Sequence, residues 1–225
     1  MTQNENKTNM PYQLSQPNRL FARTNRQTIW QRAQILRELG YWQPTIAEIC
    51  CGDCQRQQQT YQELLQVKAY CGLDINPAVV ALNQAHGVAC VPGDALDVTV
   101  LRPFARYDVL FFGPPLSVEC DGHTFLPFQA ITPGFAPFAQ LLVGDLAYDG
   151  LLVCIGPSHT NMGDIQWLYH QIRHYRPEMG LRLIHYSHAT LTGMDEPTEM
   201  RLKYVEFWFL PDSDIEWEVR VSQGM

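Results

Sequence analysis

The sequence predicts an α/β chain built on a doubly wound, mostly parallel sheet of seven strands. Three observations predict it. Apolar, strand-like runs alternate with helical segments from about residue 45 to residue 175, which implies a parallel sheet with helices on both faces. The first run, Thr45-Ile46-Ala47-Glu48-Ile49, ends in a turn of small residues, Cys50-Cys51-Gly52-Asp53-Cys54, from which a polar, Gln-rich stretch departs. The last part changes character, because Leu181 to Tyr186 and Lys203 to Leu210 are strand-like with no helical pattern between them.

Taken in order, residues 1–17 read as a disordered lead of Asn, Gln, Thr and Ser with Pro11 and Pro17, and residues 18–225 as a single domain. A helical flank is expected over 24–40. Ile29, Trp30, Ala33, Ile35, Leu36 and Leu39 recur near helical spacing, Thr24 or Asn25 can cap it, and Gly40 can end it. Arg26, Arg32 and Arg37 are assigned to its outer side, as a solvated basic face or a flank for phosphate. Strands are then expected at 45–50, 69–74, 88–91, 107–112 and 150–155. Helices are expected near 55–66, 77–86, 134–148 and 163–175, and Pro77 suits a first helical turn. Met194 to Pro197 reads as the loop between the two final strands.

Bulk properties narrow the classes. The chain has 225 residues, 46% apolar and 17% charged, enough for one full core. Its net charge of −7 argues against a general polyanion binder, although Lys7, Arg19, Arg23, Arg26, Arg32 and Arg37 gather in the first forty residues. No run of about 18 apolar residues exists, so no membrane span is expected. Met1 to Asn9 is polar and lacks the apolar core of a signal peptide, and seven cysteines is an odd number. Reduced thiols and a cytoplasmic location are the simplest expectation. Cys51 and Cys54 have ligand spacing, but no second pair follows and no metal site is expected. The scattered cysteines read as small hydrophobes.

In such a sheet, ligands bind beyond the C-terminal strand ends. An acidic residue, Asp74, lies 22 residues past Gly52 at the end of the second strand, placed to accept hydrogen bonds from ribose hydroxyls. Asp94, in Gly93-Asp94-Ala95, lies 20 residues further on. The fourth strand runs into Gly113-Pro114-Pro115-Leu116. This series resembles the class I S-adenosylmethionine-dependent methyltransferases over roughly residues 45–210. Glu48 and Gly52 match the first motif of that family, with Cys50 and Cys54 where glycines are usual. Cys54 is expected to narrow the cofactor cleft. Asp74 with Ile75 matches the second motif, and Asp94 with Ala95 the third, which flanks the adenine. Residues 113–116 resemble the Asp/Asn-Pro-Pro-aromatic motif of nucleic-acid amino-methyltransferases, divergent here because Gly113 lacks an accepting side chain and Leu116 cannot stack as a ring does. The resemblance implies a Rossmann-like methyltransferase fold whose sheet ends in an antiparallel pair, and S-adenosylmethionine as cofactor.

On that reading Glu48, Cys50, Gly52, Cys54, Asp74, Ile75, Asp94 and Ala95 form the cofactor site. Gly113, Pro114 and Pro115 form the reacting edge. Asp121 or His123 can take a proton from an oxygen or carbon acid; His159 and Asn161 are further loop candidates. The Pro-Pro turn and the basic helix favour RNA or DNA as methyl acceptor; the low pI opposes it. A non-catalytic protein on the same fold is the alternative, and a nucleotide-cofactor oxidoreductase is disfavoured by the absence of Gly-x-Gly-x-x-Gly after the first strand.

Overall fold

The computed structural model describes residues 20–93, 106–113, 116–119, 122–125, 140, 143–144, 146–157, 162–193, 199–211 and 218–221. Within them the elements are β1 (Leu20–Thr24), α1 (Arg26–Glu38), β2 (Thr45–Ile49), α2 (Gln55–Leu65), β3 (Ala69–Asp74), α3 (Pro77–Ala85) and β4 (Cys90–Pro92). There follow β5 (Tyr107–Phe112), β6 (Leu116–Glu119), β7 (Gly122–Phe125), β8 (Leu146–Pro157), α4 (Met162–Tyr175), β9 (Met179–Gly193), β10 (Glu199–Pro211) and β11 (Glu218–Val221).

The main sheet runs β1-β9-β10-β8-β5-β2-β3-β4. Strands β4, β3, β2, β5 and β8 are mutually parallel, and β10 joins β8 and β9 antiparallel. The expected mostly parallel sheet with a C-terminal antiparallel pair is therefore present. The order reverses at β2, where β3 leaves to one side and β5 lies on the other; this switch point is where such sheets open a crevice. The central strands are apolar on both faces because helices cover both. Ile46, Phe111, Val153 and Trp208 share one buried cluster with Ile29, Leu36 and Tyr61 of α1 and α2. Ala47, Leu110, Phe112 and Phe207 share the other with Leu168 and Ile172 of α4.

Several elements differ from expectation. The helical flank is preceded by β1, which pairs antiparallel with β9 through Leu20↔Gly193 to Thr24↔Ala189. Strand β11 pairs with β9 lower down, from Glu218↔Leu183 to Val221↔Tyr186. Since β10 takes the other side of β9, these two short strands share its remaining edge and cover it. The helix expected over 134–148 does not reach its end, because β8 begins at Leu146, which is 3% exposed and pairs with Tyr107. The register shifts just after Tyr107, and Gly150 fits there because a Cβ would sit 3.0 Å from the Ala147 carbonyl and 3.1 Å from that of Tyr107. The stretch after Gly113 contains a hairpin, β6 with β7, whose Leu116 and Val118 alternate with Ser117 and Glu119 in the period of a strand. Residues 1–17 and the loop Met194 to Pro197 lie outside the described residues.

The largest difference lies inside. Arg32, expected on the solvated face of α1, is 3% exposed. Its Nε and Nη2 donate to Oε1 of Glu206 on β10 at 2.9 and 2.8 Å. The other carboxylate oxygen lies 3.0 Å from Nδ1 of His185 and accepts from Trp208 Nε1 at 3.3 Å. The guanidinium also lies over the Phe111 ring, 5.1 Å from its centroid. A buried carboxylate is tolerable only when its lone pairs are filled in this way.

Candidate functional site

The turn from Cys50 to Cys54 lies at the C-terminal end of β2, at the switch point. Its backbone bends because Cys50 and Gly52 both take positive φ, each 57°. For Gly52 this conformation is free; for Cys50 it costs about 1 kcal/mol or more, since its Cβ crowds the following carbonyl. The turn continues the parallel ladders: Cys51 N–H donates to the Leu73 carbonyl at 3.0 Å, and Gly113 N–H to the Ile49 carbonyl at 3.1 Å.

Side chains from three directions hold it. Asp74, at the end of β3, accepts from Gly52 N–H at 2.9 Å through Oδ2, and from Asn76 N–H at 2.9 Å through Oδ1. Asn83, fully buried on α3, donates to the Gly52 carbonyl at 2.8 Å and accepts from Cys54 N–H at 3.1 Å. Arg23, at the end of β1, donates through Nε to Asp53 Oδ2 at 2.8 Å, and its Nη2 lies at the same distance. Asn76 caps α3 by accepting from Ala78 N–H at 3.0 Å, with Pro77 in the first turn as expected.

Beside this turn the surface suits a nucleoside. Asp74 is half-buried, and the N–H groups of Gly52, Asn76 and Ile75 take only part of the about four acceptor positions a carboxylate offers. Burial lifts its carboxyl above the ordinary value, and the N–H groups of Asn76 and Gly52 oppose the rise. Ile75, next in sequence, is 48% exposed and puts an apolar surface beside that carboxylate. These residues fit the ribose and base of an adenosyl group.

The cysteines sit differently from expectation. Cys54 is fully buried, so it does not narrow a cleft. It packs below the turn with Cys51, whose Sγ lies 3.7 Å from Sγ of Cys90 on β4. Gly72, on the intervening strand, leaves the space they fill: a Cβ there would lie 2.8 Å from Sγ of Cys51 and 3.1 Å from Sγ of Cys54. Gly72→Ala is expected to lower stability by about 1–3 kcal/mol through overpacking. The urea midpoint reads this, and Cys51→Ala in the same chain should recover part of the loss. An unchanged midpoint would show that the thiols move aside freely. Among the described residues, no three His, Cys, Asp or Glu side chains are placed to hold a metal ion.

Glu48 lies one layer below the turn. It is 5% exposed and faces the α1 and α2 side of the sheet, near Arg32, Tyr70 and Gln57. Burial pushes its carboxyl up to about 7, and attraction to Arg32 offsets only part of this. Because the folded value exceeds the unfolded one, no penalty exists below about pH 4.5; stability falls as pH rises from there to about 7, then levels. Glu48→Gln is expected to remove that fall and to be the more stable protein at pH 8 by ~2 kcal/mol. Parallel urea melts at pH 5 and pH 8 test this; equal pH slopes in both proteins would refute it.

Of the remaining predicted residues, Gly113 stands at the end of β5, half-buried beside the turn. Among the described residues, a Cβ there would meet only the carbonyls of Cys50 and Ile49, at 3.8 and 3.9 Å. His123 is placed on β7 opposite Val118. Asp94, Ala95, Pro114, Pro115, Asp121, His159 and Asn161 lie outside the described residues. Sequence reasoning missed Asn83 and Arg23; the signal for Asn83 was a polar residue on the buried stripe of Val79, Val80 and Asn83.

No protein-family model matches the chain, and no curated protein matches it in sequence. Solved structures do. A plantazolicin methyltransferase bound to a triazolic analogue and S-adenosylhomocysteine matches with a TM-score of 0.58 at 11% identity, over 84% of this chain and 85% of that one. The fold is that of the Rossmann-like methyltransferases. A candidate RNA methyltransferase from Pyrococcus horikoshii matches at 0.51 and 10% identity, over 80% and 81% of the two chains. A TehB-like S-adenosylmethionine-dependent methyltransferase from Corynebacterium glutamicum matches at 0.50 and 14%, over 80% and 86%. These neighbours share the methyltransferase fold while differing in the acceptors they are named for.

Proposed function

We propose that the protein transfers a methyl group from S-adenosylmethionine to a nucleic-acid acceptor. The observation that carries the cofactor half is the Asp74 carboxylate, tied to Gly52 N–H at 2.9 Å and still open to a diol, beside the exposed Ile75. In this reading Gly52, Asp74, Ile75, Asp94 and Ala95 hold the adenosyl group. Cys50 and Cys54 shape the turn beneath it, and Glu48 supports that turn from below as a positioning residue. When bound, the cofactor supplies an electrophilic methyl on a sulfonium sulfur.

Catalysis by the chain is then mostly positioning and exclusion of water. Gly113, Pro114 and Pro115 present a rigid edge to the acceptor. With no side chain at Gly113, orientation of the acceptor falls to backbone carbonyls, and Asp121 or His123 is the group to accept a proton. The RNA or DNA acceptor is supported by the Pro-Pro turn, while burial of Arg32 leaves Arg26 and Arg37 as the exposed cations of α1. Incubating the purified protein with tritiated-methyl cofactor and fractionated cell RNA, DNA, protein and small molecules tests the proposal. Label in a nucleic-acid fraction, lost in Asp74→Ala, is expected. Label confined to protein or small molecules would overturn the acceptor, and no label anywhere would overturn the enzyme reading.

A further inference from the structure

The outer side of α1 carries an unusual set of residues. Arg26, Trp30, Gln34 and Arg37 are all exposed, and at about 100° per residue they fall within a sector of about 80°, opposite the buried stripe. Trp30 is 42% exposed and Trp42, just past the helix, 49%. The Arg37 guanidinium lies over the Trp42 ring, 5.7 Å from its centroid. Tryptophan is seldom left this open on a protein surface.

We propose that this stripe binds a single-stranded nucleic acid and feeds it to the site. Charge and shape commit it to that partner. The stripe holds two arginines and no carboxylate in a chain of net charge −7, so its positive character is local and not a consequence of composition. The nearest acid on the helix, Glu38, is engaged by Arg220 at 2.6 Å. The Trp30 indole and, about two helical turns away, the paired Arg37 guanidinium and Trp42 ring provide two stacking surfaces for bases, with cations for the phosphates between them. Trp30 and Arg37 are about 10 Å apart along the axis, a span of one to two extended nucleotides.

The stripe also leads to the right place. Asn25 N–H donates to the His188 carbonyl at 3.2 Å, and Arg23, two residues earlier, pairs with Asp53 of the site turn. The N-terminal end of α1, with Arg26, thus sits at the rim of the candidate site, and its dipole adds to the attraction for phosphate. The link to methyl transfer rests on the proposed function; the binding itself does not.

Fluorescence anisotropy with labelled oligo(U) and oligo(dT) of about 12 nucleotides tests the proposal, at about 50 and 200 mM salt. Binding by at least one of the two is expected, and which one binds names the sugar. Trp30→Ala with Trp42→Ala should weaken it roughly tenfold or more, with the melting curve unchanged. Arg26→Gln with Arg37→Gln should lower the slope of log affinity against log salt by about 1.4. No binding to either oligomer at low salt, or affinities unchanged in both variant pairs, would overturn it. So would loss of self-association in the tryptophan variant without loss of oligomer binding, since the stripe would then be a contact between copies. A protein that binds S-adenosylhomocysteine but no oligomer contradicts this inference alone. One that binds oligomers through the stripe but no cofactor contradicts only the methyl-transfer reading.

Discussion

Arg32→Met is expected to cost about 3–5 kcal/mol of stability, because it leaves the Glu206 carboxylate buried without its main counter-charge. Glu206 is fully buried. Burial alone would raise its carboxyl, but Arg32 and His185 outweigh burial and hold it well below the usual carboxylate range. Its contribution is therefore present above the unfolded value and lost as pH falls through the acid range, opposite in sign to that of Glu48. For a chain of this size the midpoint of thermal unfolding should drop by roughly 10 °C or more. Glu206→Gln combined with Arg32→Met should be more stable than Arg32→Met alone, since the stranded charge is gone. A fall below ~1 kcal/mol in Arg32→Met would mean that water or His185 already satisfies the carboxylate.

Asp74→Ala should weaken binding of S-adenosylhomocysteine by about 100-fold or more, because one side chain does two jobs and each hydrogen bond to a charged group is worth roughly 1.5–3 kcal/mol. It fixes the turn through Gly52 N–H and offers its remaining acceptor positions to the ligand. Asp74→Asn separates the jobs. The amide oxygen can still accept from Gly52 N–H, so the turn should hold at the loss of the bond from Asn76 N–H, while the lost charge should remove most of the affinity. Isothermal titration of the three proteins, each with a melting curve, gives the comparison. Equal affinity in wild type and Asp74→Asn would show that no ligand touches this carboxylate.

The parts of the fold that were legible in the sequence are those set by local pattern. Ile46-Ala47-Glu48-Ile49 and Val109-Leu110-Phe111-Phe112 read as buried strands because both neighbours in the sheet and both helix layers demand apolar side chains. The place of Asp74 at the end of a strand beside the small-residue turn was legible from its distance to that turn, while its bonds to the N–H groups of Gly52 and Asn76 were not. Arg32 was misread although its position gave the clue: Ile29, Arg32, Ala33 and Leu36 form one helical stripe, and residue type overrode spacing. What made it burial-competent, Glu206, lies 174 residues away, beyond any local pattern. Strand β1 was illegible for the same reason, since its partner is the far end of β9. The fit of Cys51 and Cys54 over Gly72 depends on three strands meeting, which spacing alone does not show.

The central claim is that the turn between β2 and α2, with Asp74 and Ile75 beside it, holds an adenosyl cofactor. Calorimetric titration of the wild-type protein with S-adenosylhomocysteine tests it most directly. Saturable binding at one site per chain, with micromolar affinity, is the result expected. A folded protein that gives no binding heat at millimolar ligand, and no rise in melting temperature with it, would contradict the claim.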